Sequence, residues 1–441
     1  MIYLKNSVSF SWPVIIITWL FFSCSTNSKK QEAGADQVAA IVNDMTLLMV
    51  HDVTNPPLAA RFFAYTMLAG YEVASKNDTS IKSFRGRLNK YPDIPAPNIN
   101  NYSWRLAAIY AMLETASALQ PSGKLLETKL KFITDSCYAA GMNRQTVDSS
   151  RAYGKVISKA MLAYAKSDGY RNTSNYSRYT PQVKEGYWYP TPPGFFPAVE
   201  PYFNRIRPFT LDSAAQFTPQ PPPPYSAKPG SKFYALTKAV YDANKNITIP
   251  QREMAAFWDC NPFALDDEGH LQIGIKKISP GAHWMGITGI TCKNKQLSFS
   301  KTMEIHTVVA ITLMDAFMCC WDEKFRSDRI RPETVIRKFL DPEWHPLLQT
   351  PPFPEYTSGH SVISTAAAEV LTHFLGDSTA FTDTVEMPYG LAPRFFQSFR
   401  KAADEAALSR FYGGIHFMDA IVVGQKQGKE VGMNVIKRLS M

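Results

Sequence analysis

KFRSDRIRP, residues 324–332, opens the stretch of sequence that decides the fold. PPFPEYTSGHS follows at 351–361, and SRFYGGIH ends the stretch at 409–416. Together these three motifs supply three cations, a Ser-Gly turn and two histidines. Such a set describes a pocket for a tetrahedral oxyanion, because buried cations and free backbone N–H groups are what an oxyanion requires.

The first motif contains two cations seven residues apart, Lys324 and Arg331. Seven residues are about two helical turns, so both side chains can project from one face if the helix continues. Pro332 disfavours helical geometry at Arg331 and predicts an irregularity there. Basic residues on a helix are more often a solvated face, so this pair alone does not identify a site.

The second motif puts Ser358 and Gly359 at the start of a predicted helix over 361–375. The free N–H groups and the dipole of a helix start favour an anion, and glycine lets the backbone approach closely. His360 would then lie near the anion and could move protons at neutral pH. The alternative is that Thr357 or Ser358 is only a helix cap.

The third motif joins two predicted helices, over 394–412 and 416–438. Arg410 lies in the last turn of the first helix, and His416 lies at the start of the second. The Gly-Gly break between them can bring both side chains to one place. A histidine at such a start is, taken alone, more often a cap or a core residue.

The three motifs in this order resemble those of the type 2 phosphatidic acid phosphatase superfamily. Trp321 and Phe353, which flank the motifs, look like the corresponding residues of its vanadium-dependent haloperoxidase branch. The resemblance implies an all-α fold, made of helical bundles of the type 2 phosphatidic acid phosphatase/chloroperoxidase type. It also implies a pocket wall formed by Trp321 and Phe353. The residues that the resemblance implies for binding vanadate or phosphate are Lys324, Arg331, Ser358, Gly359 and Arg410.

The resemblance leaves two reactions open. A haloperoxidase would carry vanadate on His416 as the axial vanadium ligand, and His360 would assist peroxide binding so that a halide is oxidised. A periplasmic acid phosphatase would need no cofactor: His416 would attack a phosphomonoester and His360 would act as acid and base. The haloperoxidase is the first hypothesis and the phosphatase the second. A protein that binds the anion without turnover is the third.

One position departs from the family pattern. The resemblance implies an aspartate four residues after the second histidine, where it orients the imidazole ring. Here that position is Ala420, and Asp419 follows His416 by three residues. Both spacings lie on one helix face, so Asp419 is the candidate replacement, with Asp404 and Asp315 as alternatives.

The composition agrees with an enzyme that acts on small anions. Of the 441 residues, 45% are hydrophobic and 19% are charged, which allows a sizeable core and excludes disorder by composition. The net charge of +9 favours an anionic substrate, such as a halide or a phosphomonoester, or an anionic surface. No Lys/Arg tract is interleaved with aromatics, so we expect no nucleic-acid partner. The oligomeric state is left open.

The N-terminus has the pattern of an export signal. An apolar run over 12–22 precedes Ser23 and Cys24. A cysteine at this point, followed by a polar stretch, resembles a bacterial lipoprotein signal, although Phe21 stands where leucine is usual. The pattern predicts a signal peptide over 1–23 and a lipid on Cys24. The lipid would anchor the protein to a membrane, in the periplasm or at the outer membrane or cell surface. An ordinary cleaved signal or a short anchor helix is the alternative.

Helical periodicity predicts two bundles after a tether over 24–45. The N-terminal bundle covers 46–230 and ends in a connector rich in proline and aromatics, and the C-terminal bundle covers 231–441 and carries the motifs. Two further expectations concern buried residues. Asp315, inside an apolar helix, should pair with a cation of the pocket. The Gly-rich segment 280–289 should form a turn in which His283 is a packed structural residue; the alternative is that His283 lies on the rim of the pocket.

Overall fold

The computed structural model describes residues 34–268 and 271–439. Helices dominate this part of the chain, as predicted, and the four strands are short. The helices are α1 (Ala35–His51), α2 (Pro56–Asn77), α3 (Trp104–Leu119), α4 (Leu126–Ala139), α5 (Arg144–Lys166), α6 (Lys232–Lys245), α7 (Ile249–Phe257), α8 (Pro280–Asn294), α9 (Phe299–Ser327), α10 (Pro332–Phe339), α11 (Gly359–Leu375), α12 (Phe399–Tyr412) and α13 (Met418–Leu439). Two antiparallel pairs join β1 (Leu265–Glu268) to β2 (Leu271–Gly274) and β3 (Phe381–Asp383) to β4 (Arg394–Phe396).

The N-terminal tether differs from its predicted range of 24–45. Helix α1 already begins at Ala35, because apolar residues at helical spacing are buried from there on. Those residues are Val38, Ile41, Val42 and Met45. The predicted signal peptide over 1–23 and the predicted lipidation site Cys24 lie outside the described residues.

Helix α9 lies at the centre of the molecule and contacts α1, α2, α8, α11 and α13. Ser298 caps its start by accepting a hydrogen bond from the Lys301 N–H (3.3 Å), and Asp328 ends it in the left-handed region at φ 47°. Among the described helices α9 is long and apolar enough to cross a membrane, but 94% of its most apolar 18-residue window is buried in the protein. A helix that is surrounded by other helices needs apolar residues on all its faces, and this explains the high hydropathy of α9.

The packing joins the two predicted bundles across their boundary at residue 230. One hydrophobic core contains Phe63 of α2, Ile311 of α9 and Val362 of α11, which come from both sides of that boundary. The described residues accordingly form one compact unit. Amphipathic helices share apolar surface with whichever neighbours cover it, and here α2 packs directly on α9.

The segment 280–289 forms the first part of α8 and not the predicted turn. Ser279 caps the helix by accepting a backbone hydrogen bond of 3.2 Å, and Pro280 occupies the first helical position. The glycines allow close helix packing. A Cβ at Gly289 would lie 3.1 Å from the Cβ of Ala39 in α1. The missing side chain therefore lets α8 approach α1.

Asp315 is buried in α9 but does not pair with a pocket cation, so that expectation is wrong. Its carboxylate accepts hydrogen bonds from the Phe209 N–H (2.8 Å) and from the Thr210 N–H and hydroxyl (2.7 Å each). Burial raises the pKa of Asp315 to about 6. Asp315 thus links α9 to Phe209 and Thr210 of the proline-rich connector, which covers about 181–230.

Candidate active site

Residues of the second and third motifs line one cavity, and the two cations of the first motif contact residues of its wall. Lys324 comes from the last turn of α9, His360 from the first turn of α11, and Arg410 from the last turn of α12. His416 lies two residues before α13. The candidate residues, which span almost a hundred positions of sequence, therefore lie where four helix ends converge.

Lys324 is fully buried and organises the loop before α11. Its ammonium group donates hydrogen bonds to the carbonyl oxygens of Pro354 (2.9 Å), Glu355 (3.0 Å) and Thr357 (2.6 Å), and Nζ lies 5.1 Å from the Phe353 ring centroid. Burial lowers the pKa of Lys324 to about 7. The lysine thus brings a cation into the wall of the cavity and holds the second motif in place.

Arg331 reaches the cavity from a loop, because α9 ends at Ser327 and Arg331 has extended backbone (φ −85°, ψ 152°). Its Nε donates to the Phe353 carbonyl (2.9 Å), and its Nη1 donates to the Ile415 carbonyl (2.9 Å) and lies 3.2 Å from His416 Nε2. Burial lowers its pKa to about 9. The irregularity expected before Pro332 is present, and the two cations of the first motif do not share a helix.

Arg410 is the third buried cation. Its Nη1 donates to the Trp258 carbonyl (3.0 Å) and lies 3.8 Å from an Asp259 carboxylate oxygen. Its Nε is buried without a hydrogen-bond partner. Burial lowers the pKa of this guanidinium, although Asp259 acts in the opposite direction.

His416 is oriented by Glu355, a residue to which the motifs assigned no role. The Nδ1 of His416 lies 2.8 Å from Glu355 Oε1, which also accepts the Phe417 N–H at 2.9 Å. A carboxylate beside Nδ1 keeps the proton on that nitrogen, so Nε2 carries the lone pair and faces Arg331. Burial and, after it, the charge of Arg331 lower the pKa of His416 well below its usual value. The ring is therefore neutral, and its free lone pair points at the cations.

Asp419 does not orient His416 as predicted. It forms a two-pronged ion pair with Arg329, at 2.7 and 2.9 Å, and Arg329 Nε in turn donates to Glu355 Oε2 at 2.6 Å. Asp419 thus contacts Arg329, which in turn holds Glu355, and it does not contact His416. The other alternative, Asp404, accepts a hydrogen bond from Gln425 at 2.9 Å. Glu355 could have been noticed as an acidic residue inside the second motif, but nothing in its spacing connects it to the third.

Ser358 and Gly359 form the start of α11. The Ser358 hydroxyl accepts a hydrogen bond from the Ser361 N–H (3.4 Å), so the capping alternative describes its geometry. Gly359 lines the cavity, where a Cβ would meet only Trp321, at 3.9 Å. The absent side chain leaves the first N–H groups of α11 open towards the cavity.

His360 lies in the first turn of α11 and lines the same cavity. Its Nε2 is buried without a hydrogen-bond partner. Burial, followed by the charge of Arg410 and by His416, lowers the pKa of His360 well below its usual value. A neutral imidazole with an unused nitrogen is able to accept a proton from a bound molecule.

The cavity wall is largely apolar. Trp321 and Phe353 pack with ring centroids 4.9 Å apart, and the Trp321 indole N–H donates to the Val199 carbonyl of the connector at 3.0 Å. The connector therefore holds the wall in place. Pro351 of the second motif also lines the cavity. The other lining residues lie outside the motifs and were not revealed by motif analysis. They are Pro56, Cys260, Asn261, Pro262, Phe263, Pro280 and Phe317.

A tetrahedral oxyanion such as vanadate or phosphate fits these residues. Arg331 Nη2 and Arg410 Nε are donors, and His360 Nε2 is a third polar atom; all three are buried and have no partner in the described structure. A buried donor without a partner costs roughly 1–3 kcal/mol, or more when it is charged. Oxyanion oxygens would satisfy the two guanidinium donors, and His416 Nε2 offers a lone pair to the central atom.

Anion binding is expected to depend on the protonation of Lys324. With its pKa near 7 in the anion-free pocket, the ammonium loses its proton as pH rises, and binding must then restore it. Tungstate keeps two negative charges from about pH 6 to about pH 9, so its affinity should fall above pH 7 by up to about tenfold per unit. Calorimetric titration at several pH values measures this slope. A constant affinity across the range would contradict it.

Comparison with known proteins identifies the family. Residues 304–441 match the model of the VCPO second helical-bundle domain. A bacterial vanadium-dependent iodoperoxidase of known structure is 41% identical, with a TM-score of 0.87, over 92% of this chain and 98% of that one. Holo and apo structures of a bacterial vanadium-dependent chloroperoxidase share the fold at 15% identity, with TM-scores of 0.65 and 0.62. They cover 88% of this chain, and 93% and 95% of theirs.

No curated protein matches the sequence at a significant level. The iodoperoxidase match is close and covers nearly both chains, and it extends through the helices that carry all three motifs. The chain therefore belongs to the vanadium-dependent haloperoxidase family.

Proposed function

We propose that the protein oxidises a halide, iodide first among them, with hydrogen peroxide while vanadate is held on His416. The observation that carries the proposal is the imidazole of His416, kept neutral and oriented by Glu355 while its free nitrogen faces buried cations. Iodide is favoured because the 41% identical relative is an iodoperoxidase. When bound, vanadate supplies a Lewis-acid centre that activates peroxide towards a halide.

Several residues of the site would bind vanadate, each through a different interaction. His416 Nε2 would hold vanadate through its lone pair, and Glu355 fixes the orientation of the ring. Arg331 and Arg410 offset the negative charge of the oxyanion through donors that have no other partner. Lys324 adds a third cation from the wall. The Ser358 hydroxyl and the Gly359 N–H complete the set at the start of α11.

His360 is the proton acceptor in this proposal. Its lowered pKa keeps the ring neutral, so its free Nε2 takes a proton from incoming peroxide and later returns it to the product. The aromatic wall of Trp321 and Phe353 excludes water and accepts a large, weakly hydrated anion. Iodide is the halide that loses its water most readily and gives up electrons most readily, and it therefore suits such a wall.

A purified sample assayed in two ways tests the proposal. Vanadate-free protein should oxidise iodide with peroxide only after vanadate is added, and bromide more slowly. Phosphomonoester hydrolysis is measured on the same sample without vanadate. Hydrolysis inhibited by vanadate, with no halide oxidation after loading, would contradict the proposal and support the acid phosphatase. Tight phosphate binding with neither activity would support a protein that only binds.

We further propose that the protein is exported and anchored to a bacterial membrane by a lipid on Cys24. The support is the apolar run over 12–22, which is followed directly by Ser23-Cys24 and a polar stretch. Expression of the full chain in a bacterial host should place it in the membrane fraction, and Cys24→Ser should release it. Cys137→Ser, a half-buried cysteine of α4, is the matched control. Equal fractionation of Cys24→Ser and wild type would contradict the anchor.

A further inference from the structure

A second cluster of polar side chains lies beside the cavity and has no part in the proposed reaction. Cys260 follows α7, His283 lies in the first turn of α8, Asp383 ends β3, and Glu386 follows three residues later. All four side chains are buried, with His283 and Asp383 fully so. Burying this many ionisable groups together is unfavourable unless they pair or bind a cation.

Three atoms of the cluster face one another at nearly equal distances. Cys260 Sγ and His283 Nδ1 are 3.4 Å apart, His283 Nδ1 and Glu386 Oε1 are 3.3 Å apart, and Cys260 Sγ and Glu386 Oε1 are 3.7 Å apart. Tetrahedral zinc has bonds of about 2.3 Å to sulfur and about 2.0–2.2 Å to nitrogen and oxygen, which separates its ligand atoms by about 3.4–3.6 Å. The three atoms already form one face of such a tetrahedron.

The fourth side chain orients the imidazole. Asp383 Oδ2 lies 2.8 Å from His283 Nε2, so that nitrogen keeps its proton and Nδ1 is the one that faces Cys260 and Glu386. Zinc-binding histidines commonly donate a hydrogen bond from their second ring N–H to a carboxylate in this way. The ring orientation and the tautomer required of a ligand are therefore present.

The charge of the cluster is also suited to a divalent cation. The two ring nitrogens of His283 lie 2.8 Å from an Asp383 oxygen and 3.3 Å from a Glu386 oxygen, and each of these contacts requires a proton on the nitrogen. A thiol keeps its proton at neutral pH unless a cation stabilises the thiolate. Without metal the cluster thus holds a thiol, an imidazolium and two carboxylates, with net charge −1. Zn²⁺ would replace the thiol proton and the Nδ1 proton, which leaves the net charge at −1. Metal binding would add no buried charge.

We propose that Cys260, His283 and Glu386 form a zinc site, with Asp383 orienting the histidine and a water in the fourth position. Sulfur, nitrogen and oxygen ligands in tetrahedral arrangement are typical of Zn²⁺. Cys260 also lines the cavity that contains His360 and Arg410. The ion can therefore enter through the active-site cavity.

The site supports the active-site wall and takes no part in the chemistry. His283 stacks on Trp258 with ring centroids 4.6 Å apart, and the Trp258 carbonyl accepts the hydrogen bond from Arg410. Zinc would fix His283, and through Trp258 the position of Arg410. The ion would join the segment after α7, helix α8 and the segment after β3.

Cobalt titration of chelator-treated full-length protein, without vanadate, tests the proposal. We expect one Co²⁺ per chain with thiolate-to-cobalt charge-transfer absorption, displacement by Zn²⁺, and release of two protons per ion in calorimetry with two buffers. The melting temperature should rise with zinc concentration. If the cluster is only a buried salt bridge, no thiolate absorption, proton release or stabilisation appears, and the proposal is overturned.

Single substitutions test which residues bind the metal ion. Cys260→Ser should remove the charge-transfer absorption, whereas Cys292→Ser, at a buried cysteine of α8 outside the cluster, should leave it unchanged. Asp383→Asn should weaken Co²⁺ binding about 10–100-fold while the absorption persists at saturation. Unchanged absorption in Cys260→Ser would overturn the assignment. The wild-type titration decides the question even if a variant fails to fold, and it is independent of enzyme activity.

Discussion

Replacing His416 with alanine is expected to abolish iodide oxidation and vanadate binding together. The substitution removes the lone pair that would hold vanadate, and it leaves the buried Arg331 without the imidazole that its Nη1 contacts at 3.2 Å. We expect turnover to fall by at least about 10³-fold, as when a central catalytic group is removed. Peroxide-dependent iodide oxidation and vanadate titration measure the two effects.

The control for this substitution is His373→Ala, which removes an exposed histidine from α11 and should change neither quantity. Stability must be measured alongside, because Glu355 loses one hydrogen-bond partner in the His416 variant, at a cost of about 1–3 kcal/mol. A folded His416→Ala protein that still binds vanadate and oxidises iodide would show that the cofactor is held elsewhere.

Replacing Glu355 with glutamine is expected to weaken vanadate binding and destabilise the protein. The carboxylate accepts from His416 and Phe417 on one oxygen and from Arg329 on the other. An amide has one oxygen only, so its NH₂ group must face a donor whichever way it turns. We expect vanadate affinity to fall about 10–100-fold, as for other groups that orient a ligand. Breaking the buried pair should cost about 3–5 kcal/mol.

Asp419→Asn separates orientation from stability. It perturbs the other side of Arg329 but leaves the contact between Glu355 and His416 in place. Vanadate affinity, measured by titration at a temperature where both variants are folded, should change much less than in Glu355→Gln. Equal losses of affinity in the two variants would contradict an orienting role of Glu355.

The helices were predictable because apolar side chains recur with helical spacing. The helices predicted over 361–375 and 416–438 agree with α11 and α13 within two residues at each end. The helix predicted from 394 begins at Phe399, because β4 takes the first residues of that range to pair with β3. The glycines of 280–289 suggested a turn, but they lie where α8 approaches its neighbours and have no side chain to separate them.

The candidate site was predictable in its residues but not in its connections. The order of three motifs identified the two histidines and the cations. His360, His416 and Arg410 line one cavity, whereas Arg331 contacts His416 and Lys324 lies against Phe353. The contact between Glu355 and His416 joins residues 61 positions apart. No periodicity extends over such a distance, so Asp419, the carboxylate nearest in sequence, was preferred although it pairs with Arg329.

The sequence by itself determined which residues could bind an oxyanion and where most helices run, since both depend on residue type and short-range spacing. Tertiary packing decided which carboxylate orients His416, joined the two expected bundles through one core, and brought Cys260, His283 and Glu386 together from three segments. These outcomes depend on how helices share apolar surface and compensate buried charge. Both are properties of contacts between residues distant in sequence.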